Sequence, residues 1–461
     1  MAWQLSRPTP ALPYSYFWTW DHSANWVLDD PGLLTWGCDN RYLKRPDTYV
    51  EDYRRLTDLA SGLGVKGITI WGFLRDSHGG VEAAKRVAGY AASRGVAIMP
   101  GIGTTHYGGI YYEGDHRYNI GQFIRQDPDA QMRDAAGQPV PVSVCPSHPR
   151  FREWLCEGIQ WLFDTFTIGG ANLENGDFMV CHCPKCLEHK QSWPADEPEF
   201  YRLQAMSYVP AAECMGDRLN DSLVCWATYT GFVPNAPATY YGGGMGCTRP
   251  LLVDRADPRS FAQWTITGMV RRDPLPLTAY LDDGAPAESL DNPQWRRDLR
   301  PPGTRAVGFL HHGSQWCDRA GRYDLAISSI KEGCLRAYRA GMQGVSIHGE
   351  VSARHIPAAL NYLAFSHFIH WPEDSLRAFG TKTLGQVLGS EAAGEAFCES
   401  LAHWDAGNLP EAQKQSIWAQ MEDPEHRFIG GSLEALHRWR FWDWLAKMAE
   451  GRQERHTGSF F

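Results

Sequence analysis

The stretch that decides the fold is Gly67-Ile68-Thr69-Ile70-Trp71, an apolar and β-branched run with the length of a buried strand. Residues 81–93 follow it with helical spacing, and residues 96–102 form another short apolar run. A strand, a helix and a strand in close succession predict a βαβ unit, in which the two strands are parallel.

The same alternation recurs along most of the chain. The other predicted strands span residues 14–20, 168–174, 223–229, 277–281, 306–310 and 344–347, and helices are predicted over 49–63, 149–166, 199–218, 258–269 and 324–340. Eight βα units in series predict an α/β protein with the (β/α)8 barrel fold. Strand patterns stop after Trp371, where the spacing predicts helices over 375–401, 409–421 and 432–448. We therefore expect a barrel over residues 1–370 and a helical C-terminal extension over 371–461 that packs on it.

The composition narrows the class of protein. The 461 residues carry a net charge of -9, which argues against a nucleic-acid or anionic-membrane partner. We expect a soluble, cytoplasmic protein, because the chain has neither a membrane-spanning apolar run nor the apolar segment of an export signal near its first residue. The 19 Trp, 19 Tyr and 19 Phe favour a ligand with faces on which aromatic rings stack, and they leave self-association open.

The cysteines divide into isolated residues and one cluster. Without an export signal, the twelve cysteines are not expected to form a disulfide framework, and Cys225, Cys334 and Cys398 are predicted to be small buried side chains. Cys181-His182-Cys183-Pro184-Lys185-Cys186 has the C-x-C-x-x-C spacing of a tetrahedral zinc site.

A closed zinc site needs a fourth ligand. Cys145 is our choice, with His182 and His189 as alternatives. Four thiolates leave no open coordination position, so this zinc would be structural. The competing interpretation is a group of adjacent thiols that binds no metal.

Polar side chains follow most of the predicted strands. In a barrel the active residues lie at the carboxyl ends of the strands, so these side chains are expected to meet at one face. Glu174 is the candidate acid and Glu350 the second carboxylate, with Asp282 and Asp283 competing for the second role. Asp177 is expected to orient Glu174. The substrate-binding candidates are Asp21, Arg75, His106, Tyr107, Asp177, Asp282, His312 and Trp316.

Two carboxyl groups beside aromatic side chains fit glycoside hydrolysis, in which one carboxyl is protonated to assist departure of the leaving group. We therefore predict a glycoside hydrolase that removes a terminal sugar. The first alternative is a barrel that binds carbohydrate without cleaving it. A hydrolase with a catalytic metal ranks last, because the chain has no His-x-His or His-Glu-x-x-His pattern.

A glutamate at the fourth strand, a C-x-C-x-x-C cluster after it and a cysteine in the preceding loop together resemble the zinc-bearing barrels of the family 42 β-galactosidases. The resemblance implies that Glu174 is the acid/base and that Cys145, Cys181, Cys183 and Cys186 bind zinc. In that family an Asn precedes the Glu, whereas here Leu173 precedes it and Asn175 follows. The stretch over residues 358–388 is similar to barrels related to α-glucuronidases and family 20 β-N-acetylhexosaminidases, which implies a sugar substrate.

Overall fold

The structure is a computed structural model, and it describes residues 3–27, 44–175, 180–192, 199–227, 255–266, 275–282, 305–310, 325–422 and 432–451. Ten strands lie in these ranges. They are β1 (Tyr16–Trp20), β2 (Gly67–Trp71), β3 (Ala97–Gly103), β4 (Gln131–Arg133), β5 (Pro139–Val144), β6 (Gly170–Glu174), β7 (Leu223–Ala227), β8 (Phe261–Thr265), β9 (Arg305–Phe309) and β10 (Gly344–His348).

Eight of these strands close a barrel. Its order is β1-β10-β9-β8-β7-β6-β3-β2, and every neighbouring pair is parallel. The predicted (β/α)8 barrel is therefore confirmed. The remaining strands, β4 and β5, form a separate antiparallel hairpin within the stretch between β3 and β6.

Helices follow most strands and cover the outside of the barrel. The described α-helices are Pro46–Leu63, Gly80–Ser93, Ile120–Gln126, Phe151–Thr165, Pro184–Gln191, Glu199–Met215, Ile327–Arg339, Ile356–His370, Leu376–Phe379, Gly385–Leu388, Glu391–Asp405, Glu411–Glu422 and Leu433–Ala449. Short 3-10 helices span Asp76–His78, Pro128–Ala130, Gly216–Asn220 and Leu277–Tyr280, and a π-helical turn spans Gly380–Leu384. Helices occupy the three stretches predicted after Trp371, but the first, predicted over 375–401, is interrupted by this turn and again at Gly389 and Ser390, where a separate helix begins.

Alternate residues of each strand face the barrel interior and the surrounding helices. The interior cluster consists of Tyr16, Trp18, Trp20, Trp71, Met99, Leu223, Cys225, Phe261, Val307 and Phe309. Gly101 leaves the space for one of these rings, because a Cβ there would lie 2.3 Å from a ring carbon of Trp71. The outward side chains, such as Phe17 and Leu173, join the larger core beneath the helices.

A belt of hydrogen bonds crosses this aromatic interior. The Trp71 indole donates to Asn172 Oδ1 at 3.2 Å, and Asn172 Nδ2 donates to Gln263 Oε1 at 2.8 Å. The Tyr16 hydroxyl donates to the same Gln263 oxygen at 2.5 Å. The belt joins β2, β6, β8 and β1, so it fixes the orientation of polar groups that are fully shielded from solvent.

The sixth barrel strand is not where the sequence predicts it. β8 is Phe261–Thr265, inside the stretch predicted as a helix, and the predicted strand over 277–281 is instead the 3-10 helix Leu277–Tyr280. That helix lies outside the barrel and contacts the helices Ile327–Arg339 and Glu391–Asp405. Asp282, the residue two positions beyond it, is consequently not at the end of a barrel strand.

The C-terminal helices pack on this same flank. Asp405 Oδ2 accepts the backbone N–H of Leu277 at 2.8 Å, and Trp442 and Trp444 are buried. Lys331, on the helix Ile327–Arg339, is also buried, and its ammonium group donates to the carbonyl of Pro372 at 3.2 Å.

Cys156 and Cys214 form a disulfide between the helices Phe151–Thr165 and Glu199–Met215. The expectation that the chain holds no disulfide framework did not foresee this bond. Cys225, Cys334 and Cys398 are buried free thiols, as predicted. Among the described helices, none combines the length and the hydropathy that crossing a membrane requires.

Candidate functional site

Glu174 closes β6 at the carboxyl end of the barrel. Its side chain shares the inward face of the strand with Asn172, and its backbone pairs with Gly103 of β3. The side chain is 2 % exposed. Glu174 therefore lies where the chemistry of a barrel enzyme takes place.

Asn175, the next residue, fastens this strand end to its neighbours. Its Oδ1 accepts from the Thr104 hydroxyl at 2.6 Å and from the Thr105 backbone N–H at 2.9 Å, while its Nδ2 donates to Ser207 Oγ at 2.8 Å. The Tyr208 hydroxyl accepts the backbone N–H of Asn175 at 2.8 Å. Both the oxygen and the nitrogen of the Asn175 side chain are hydrogen-bonded to neighbouring residues, so Asn175 positions the backbone that carries Glu174.

Glu350 lies two residues beyond β10 and is fully buried. Its Oε1 accepts the Trp20 backbone N–H at 2.8 Å, and its backbone carbonyl accepts the N–H of Asn25 at 2.9 Å. Its Oε2 lies 3.8 Å from Nδ1 of His348, which faces the interior beside Trp18. The segment is thus tied to the end of β1 as well as to its own strand.

The two carboxylates stand on opposite walls. In the ring of eight strands, β6 and β10 are four positions apart in either direction. A group bound at the centre of the mouth would therefore be flanked by Glu174 on one side and by Glu350 on the other.

Asp21 follows β1, and its carboxylate contacts three basic side chains. Its Oδ1 lies 2.8 Å from His22 Nδ1, and its Oδ2 lies 2.7 Å from Arg75 Nε and 3.2 Å from His78 Nε2. Burial alone would raise the pKa of Asp21, but the Arg75 guanidinium and the two imidazoles outweigh it and hold the pKa well below its usual range. Asp21 is therefore a permanent anion that orients Arg75.

Arg75 joins the loops that follow β2 and β3. Its guanidinium pairs with Glu113 and lies 4.1 Å from the centre of the Tyr112 ring. Asp76 reinforces the junction, because its backbone N–H donates to the Glu113 carbonyl at 3.0 Å and its carboxylate accepts from the Tyr111 hydroxyl. These contacts give this side of the mouth a fixed shape.

Three aromatic rings line the same side of the mouth. Trp20 lies 5.9 Å from Tyr107 and 6.0 Å from Tyr112, measured between ring centres, and both tyrosines are partly exposed. Tyr107 has a φ of 52°, a left-handed conformation that costs a non-glycine residue about 1–2 kcal/mol. The backbone holds this ring at the mouth in spite of that cost.

His106, beside Tyr107, is buried, and its Nδ1 lies 2.8 Å from the Thr105 hydroxyl. Burial lowers the pKa of His106 to about 3. The imidazole is therefore neutral near pH 7.

The four predicted metal-binding cysteines come together. Their four Sγ atoms, those of Cys145, Cys181, Cys183 and Cys186, all lie within 4.8 Å of one another. Cys145 Sγ is 3.5 Å from both Cys183 Sγ and Cys186 Sγ. Backbone N–H groups of Arg133 and Cys183 point at Cys181 Sγ, at 3.4 and 3.5 Å. Four converging sulfurs with N–H donors around them match a tetrahedral thiolate site, so the residues present fit a metal ion.

The cysteine group is connected to the mouth through the backbone. Cys145 directly follows Val144, whose N–H donates to the Thr105 carbonyl at 3.0 Å. Thr105 precedes His106 and is bonded to Asn175, the residue after Glu174. A metal held by the four sulfurs would therefore brace the loop that carries His106 together with the chain beyond Glu174.

The structure places six of the candidate residues at the mouth of the barrel: Asp21, Arg75, His106, Tyr107, Glu174 and Glu350. Asp282 lies elsewhere: its side chain is 78 % exposed and pairs with Arg377 at 3.0 Å. The predicted residues Asp177, Asp283, His312 and Trp316 lie outside the described residues.

Three tryptophans pack within the fold. Trp71 is fully buried in the barrel interior, and Trp226 faces outward, where its indole donates to Ser260 Oγ at 3.0 Å. The Trp26 indole donates to the Gly349 carbonyl at 3.0 Å. Sequence reasoning missed Tyr112 and Gln263, although Tyr112 lies in the loop after the third strand, where a site residue is expected.

No family model matches the chain, and no curated protein is recognisably similar to it in sequence. Among solved structures, a β-N-acetylhexosaminidase from Bacteroides fragilis aligns at 14 % identity and a TM-score of 0.44, over 77 % of this chain and 66 % of that one. A maltogenic α-amylase from Thermotoga neapolitana aligns at 11 % identity and a TM-score of 0.44, over 78 % and 76 % of the two chains. A family GH138 enzyme that targets pectin rhamnogalacturonan II aligns at 11 % identity and a TM-score of 0.48, over 88 % of this chain but 44 % of its own.

Proposed function

We propose that the protein is a glycoside hydrolase that removes a terminal sugar from a glycoside or oligosaccharide. The observation that carries the proposal is the pair of buried carboxylates, Glu174 and Glu350, on opposite walls at the carboxyl end of the barrel. Cleavage of a glycosidic bond needs such a pair, one carboxyl to protonate the departing oxygen and the other to attack the sugar or activate water.

Glu174 is the proposed acid. Its strand end is fastened by Asn175 to Thr104, Thr105 and Ser207, and this anchoring suits a group that must deliver a proton to one oxygen. Glu350 is the proposed nucleophile or base. Its Oε1 accepts the Trp20 N–H at 2.8 Å, which fixes the position of the carboxylate at the end of β1.

The substrate-binding side of the mouth is proposed to comprise Arg75, His106 and Tyr107. The ring of Tyr107, with those of Trp20 and Tyr112, offers apolar faces to the C–H groups of a sugar. Arg75 and the neutral His106 offer hydrogen bonds to hydroxyl groups. Asp21 acts indirectly, by holding Arg75.

The four cysteines are proposed to bind a structural zinc ion. Zinc favours four thiolates in tetrahedral geometry, and such a site has no open position at which water could be activated. Cys145 is joined to the loop before His106 through the hydrogen bond of Val144 to Thr105, and Thr105 is hydrogen-bonded to Asn175. An ion held by the four cysteines would therefore hold this loop against the residue that follows Glu174.

The proposal is tested with Glu174→Gln and Glu350→Gln on a panel of aryl glycosides, with Glu153→Gln on the exposed face of the helix Phe151–Thr165 as the matched control. Each site variant should lose at least about 100-fold in kcat, the usual contribution of a catalytic acid or base, while the control keeps full activity. Full activity in folded site variants would refute the assignment. Glycan affinity without turnover in the unmodified protein would favour the sugar-binding alternative.

A further inference from the structure

Asp52 is a buried carboxylate that the proposed reaction leaves without a role. It lies on the helix Pro46–Leu63, and its side chain has no exposure to solvent. Its Oδ1 accepts the backbone N–H groups of Trp26 and Val27, both at 2.8 Å. One side chain on a helix outside the barrel therefore holds two successive residues of the loop that follows β1.

Lys44 completes this group. Its ammonium lies 2.5 Å from Asp52 Oδ2 and also donates to the carbonyl of Ala24. A buried ion pair is unfavourable unless hydrogen bonds satisfy both charges, and here the loop supplies them, as N–H donors for the carboxylate and a carbonyl for the ammonium. The ion pair therefore specifies where residues 24–27 lie.

The same loop residues hold the backbone on either side of the Glu350 Cα. The N–H of Asn25 donates to the Glu350 carbonyl at 2.9 Å, and the Trp26 indole donates to the Gly349 carbonyl at 3.0 Å. Asn25 also forms a parallel bridge with Val351. The loop and the Glu350 segment thus continue the pairing of β1 with β10 beyond the ends of both strands.

Packing supports this junction. The Trp26 ring stacks on Tyr362, with 5.9 Å between ring centres, and the Tyr362 hydroxyl donates to the Val351 carbonyl at 2.7 Å. A Cβ at Gly349 would lie 2.9 Å from that of Phe17, so the backbone before Glu350 packs directly on β1. A displacement of the loop would therefore displace the backbone that carries Glu350.

We propose that Asp52 is a positioning residue for Glu350: by fixing residues 24–27, it sets the place of the Glu350 carboxylate at the mouth. This inference rests on the proposed function, because it concerns the geometry of the proposed nucleophile or base. Glu350 keeps its own contacts, among them the Trp20 N–H, and Asp52 acts on the backbone that carries them. A misplacement of about 1 Å at a reacting group can cost about 100-fold in rate, so a carboxylate remote from the sugar can control turnover.

The test compares two double variants, Lys44→Met/Asp52→Asn and Lys44→Met/Asp52→Leu. Methionine removes the ammonium in both, so neither leaves a buried charge unpaired. Asparagine and leucine have nearly the same shape, but only asparagine keeps an oxygen for the N–H groups of Trp26 and Val27.

Gln343→Leu is the matched control. Its Oε1 accepts the backbone N–H of Ala306 at 2.7 Å, just before β10 begins and therefore at the opposite end of the barrel from Glu350. The control loses an acceptor of the same kind without touching the loop after β1, so it should keep its kcat and KM.

The measurement is kcat and KM on the aryl glycoside that the wild type cleaves best. The leucine double variant should lose at least about tenfold in kcat with KM changed by less than about twofold, while the asparagine double variant stays within about threefold of the wild type. A folded leucine variant with the kcat of the asparagine variant would overturn the proposal. If the leucine variant does not fold, Trp26→Phe replaces it, since it removes only the N–H to Gly349 and keeps a ring against Tyr362; an undiminished kcat there would overturn the proposal as well.

Repeating the substitutions in Glu350→Gln separates positioning from a general loss of active protein. An effect that acts through Glu350 should vanish in this background, whereas a loss of folded enzyme lowers both backgrounds equally and would contradict the proposal. Full activity of Glu350→Gln itself would refute the proposed function. If Glu350 is required and the leucine double variant keeps its kcat, only the role of Asp52 fails.

Discussion

Replacement of the buried Lys331 by methionine tests how the C-terminal extension meets the barrel. The Lys331 side chain is 1 % exposed, its ammonium lies 4.8 Å from the centre of the Phe368 ring, and it donates to the Pro372 carbonyl. Burial lowers the pKa of Lys331 from 10.5 to about 8. Between these two values the unfolded chain binds a proton that the folded chain does not, so the free energy of unfolding rises with pH over that window.

The size of the effect follows from the difference of the two pKa values. At 1.36 kcal/mol per pKa unit, burial of the lysine costs the folded state about 3 kcal/mol at pH 7 and about 1 kcal/mol at pH 9.5, where the folded chain has released the proton. The wild type should therefore gain about 2 kcal/mol over Lys331→Met between pH 7 and pH 9.5. Contributions that do not change with pH cancel in this comparison.

The assay is equilibrium urea unfolding of both proteins at several pH values, with extrapolation to zero denaturant. Lys85→Met, at an exposed position on the helix Gly80–Ser93, is the control and should stay parallel to the wild type. Stability curves of the wild type and Lys331→Met that also run parallel from pH 7 to pH 9.5 would refute the burial of this lysine. They would equally refute the packing of the extension that buries it.

Three further outcomes follow from contacts of the site and its supports. Asp21→Asn should lower the free energy of unfolding by about 3–5 kcal/mol, because it leaves the Arg75 guanidinium without its buried partner; urea unfolding at pH 7 measures this, and a loss below about 1 kcal/mol contradicts it. Tyr107→Gly should change the free energy of unfolding little, because relief of the left-handed backbone offsets the lost ring contacts with Trp20 and Trp71, yet weaken glycan binding in calorimetry; equal losses of both would show that the ring serves only packing. Serine at both Cys156 and Cys214 should cost about 4 kcal/mol for a loop of 58 residues, seen as a lower Tm that reducing agent no longer changes, whereas an unchanged Tm would show that the bond does not form.

The sequence predicts the barrel well, because most of its strands are short apolar runs separated by helical spacing. Gly67–Trp71 is predicted to the residue, and the strand that ends in Glu174 is predicted with its carboxyl end correct. β8 was predicted as helix: Phe261–Thr265 is buried on both faces and contains Ala and Gln, so it lacks the alternation that identifies a strand. The apolar run at Leu277–Tyr280 suggested the missing strand, but it is buried by the C-terminal helices instead.

The sequence likewise predicts only part of the candidate site. The strand-end rule predicts that Glu174, Glu350 and Arg75 lie at the mouth, because it depends only on where each strand stops. It does not show that the Asp21 carboxylate is paired with Arg75 and His78, because these contacts join the loop after β1 to the loop after β2. The disulfide escaped prediction because its cysteines are 58 residues apart on separate helices and become neighbours only when those helices pack.

The chain holds an oxidised pair of cysteines together with four free ones whose sulfurs lie within 4.8 Å of one another. An oxidant that closes the bond between Cys156 and Cys214 would also find Cys145 and Cys183, which are 3.5 Å apart before any bond exists. Zinc on the four thiolates would act as a protecting group during folding, because it occupies the lone pairs that would otherwise attack a disulfide. For a zinc-binding chain the order of maturation would then matter, because oxidation before the metal is bound would form a disulfide among these four cysteines instead.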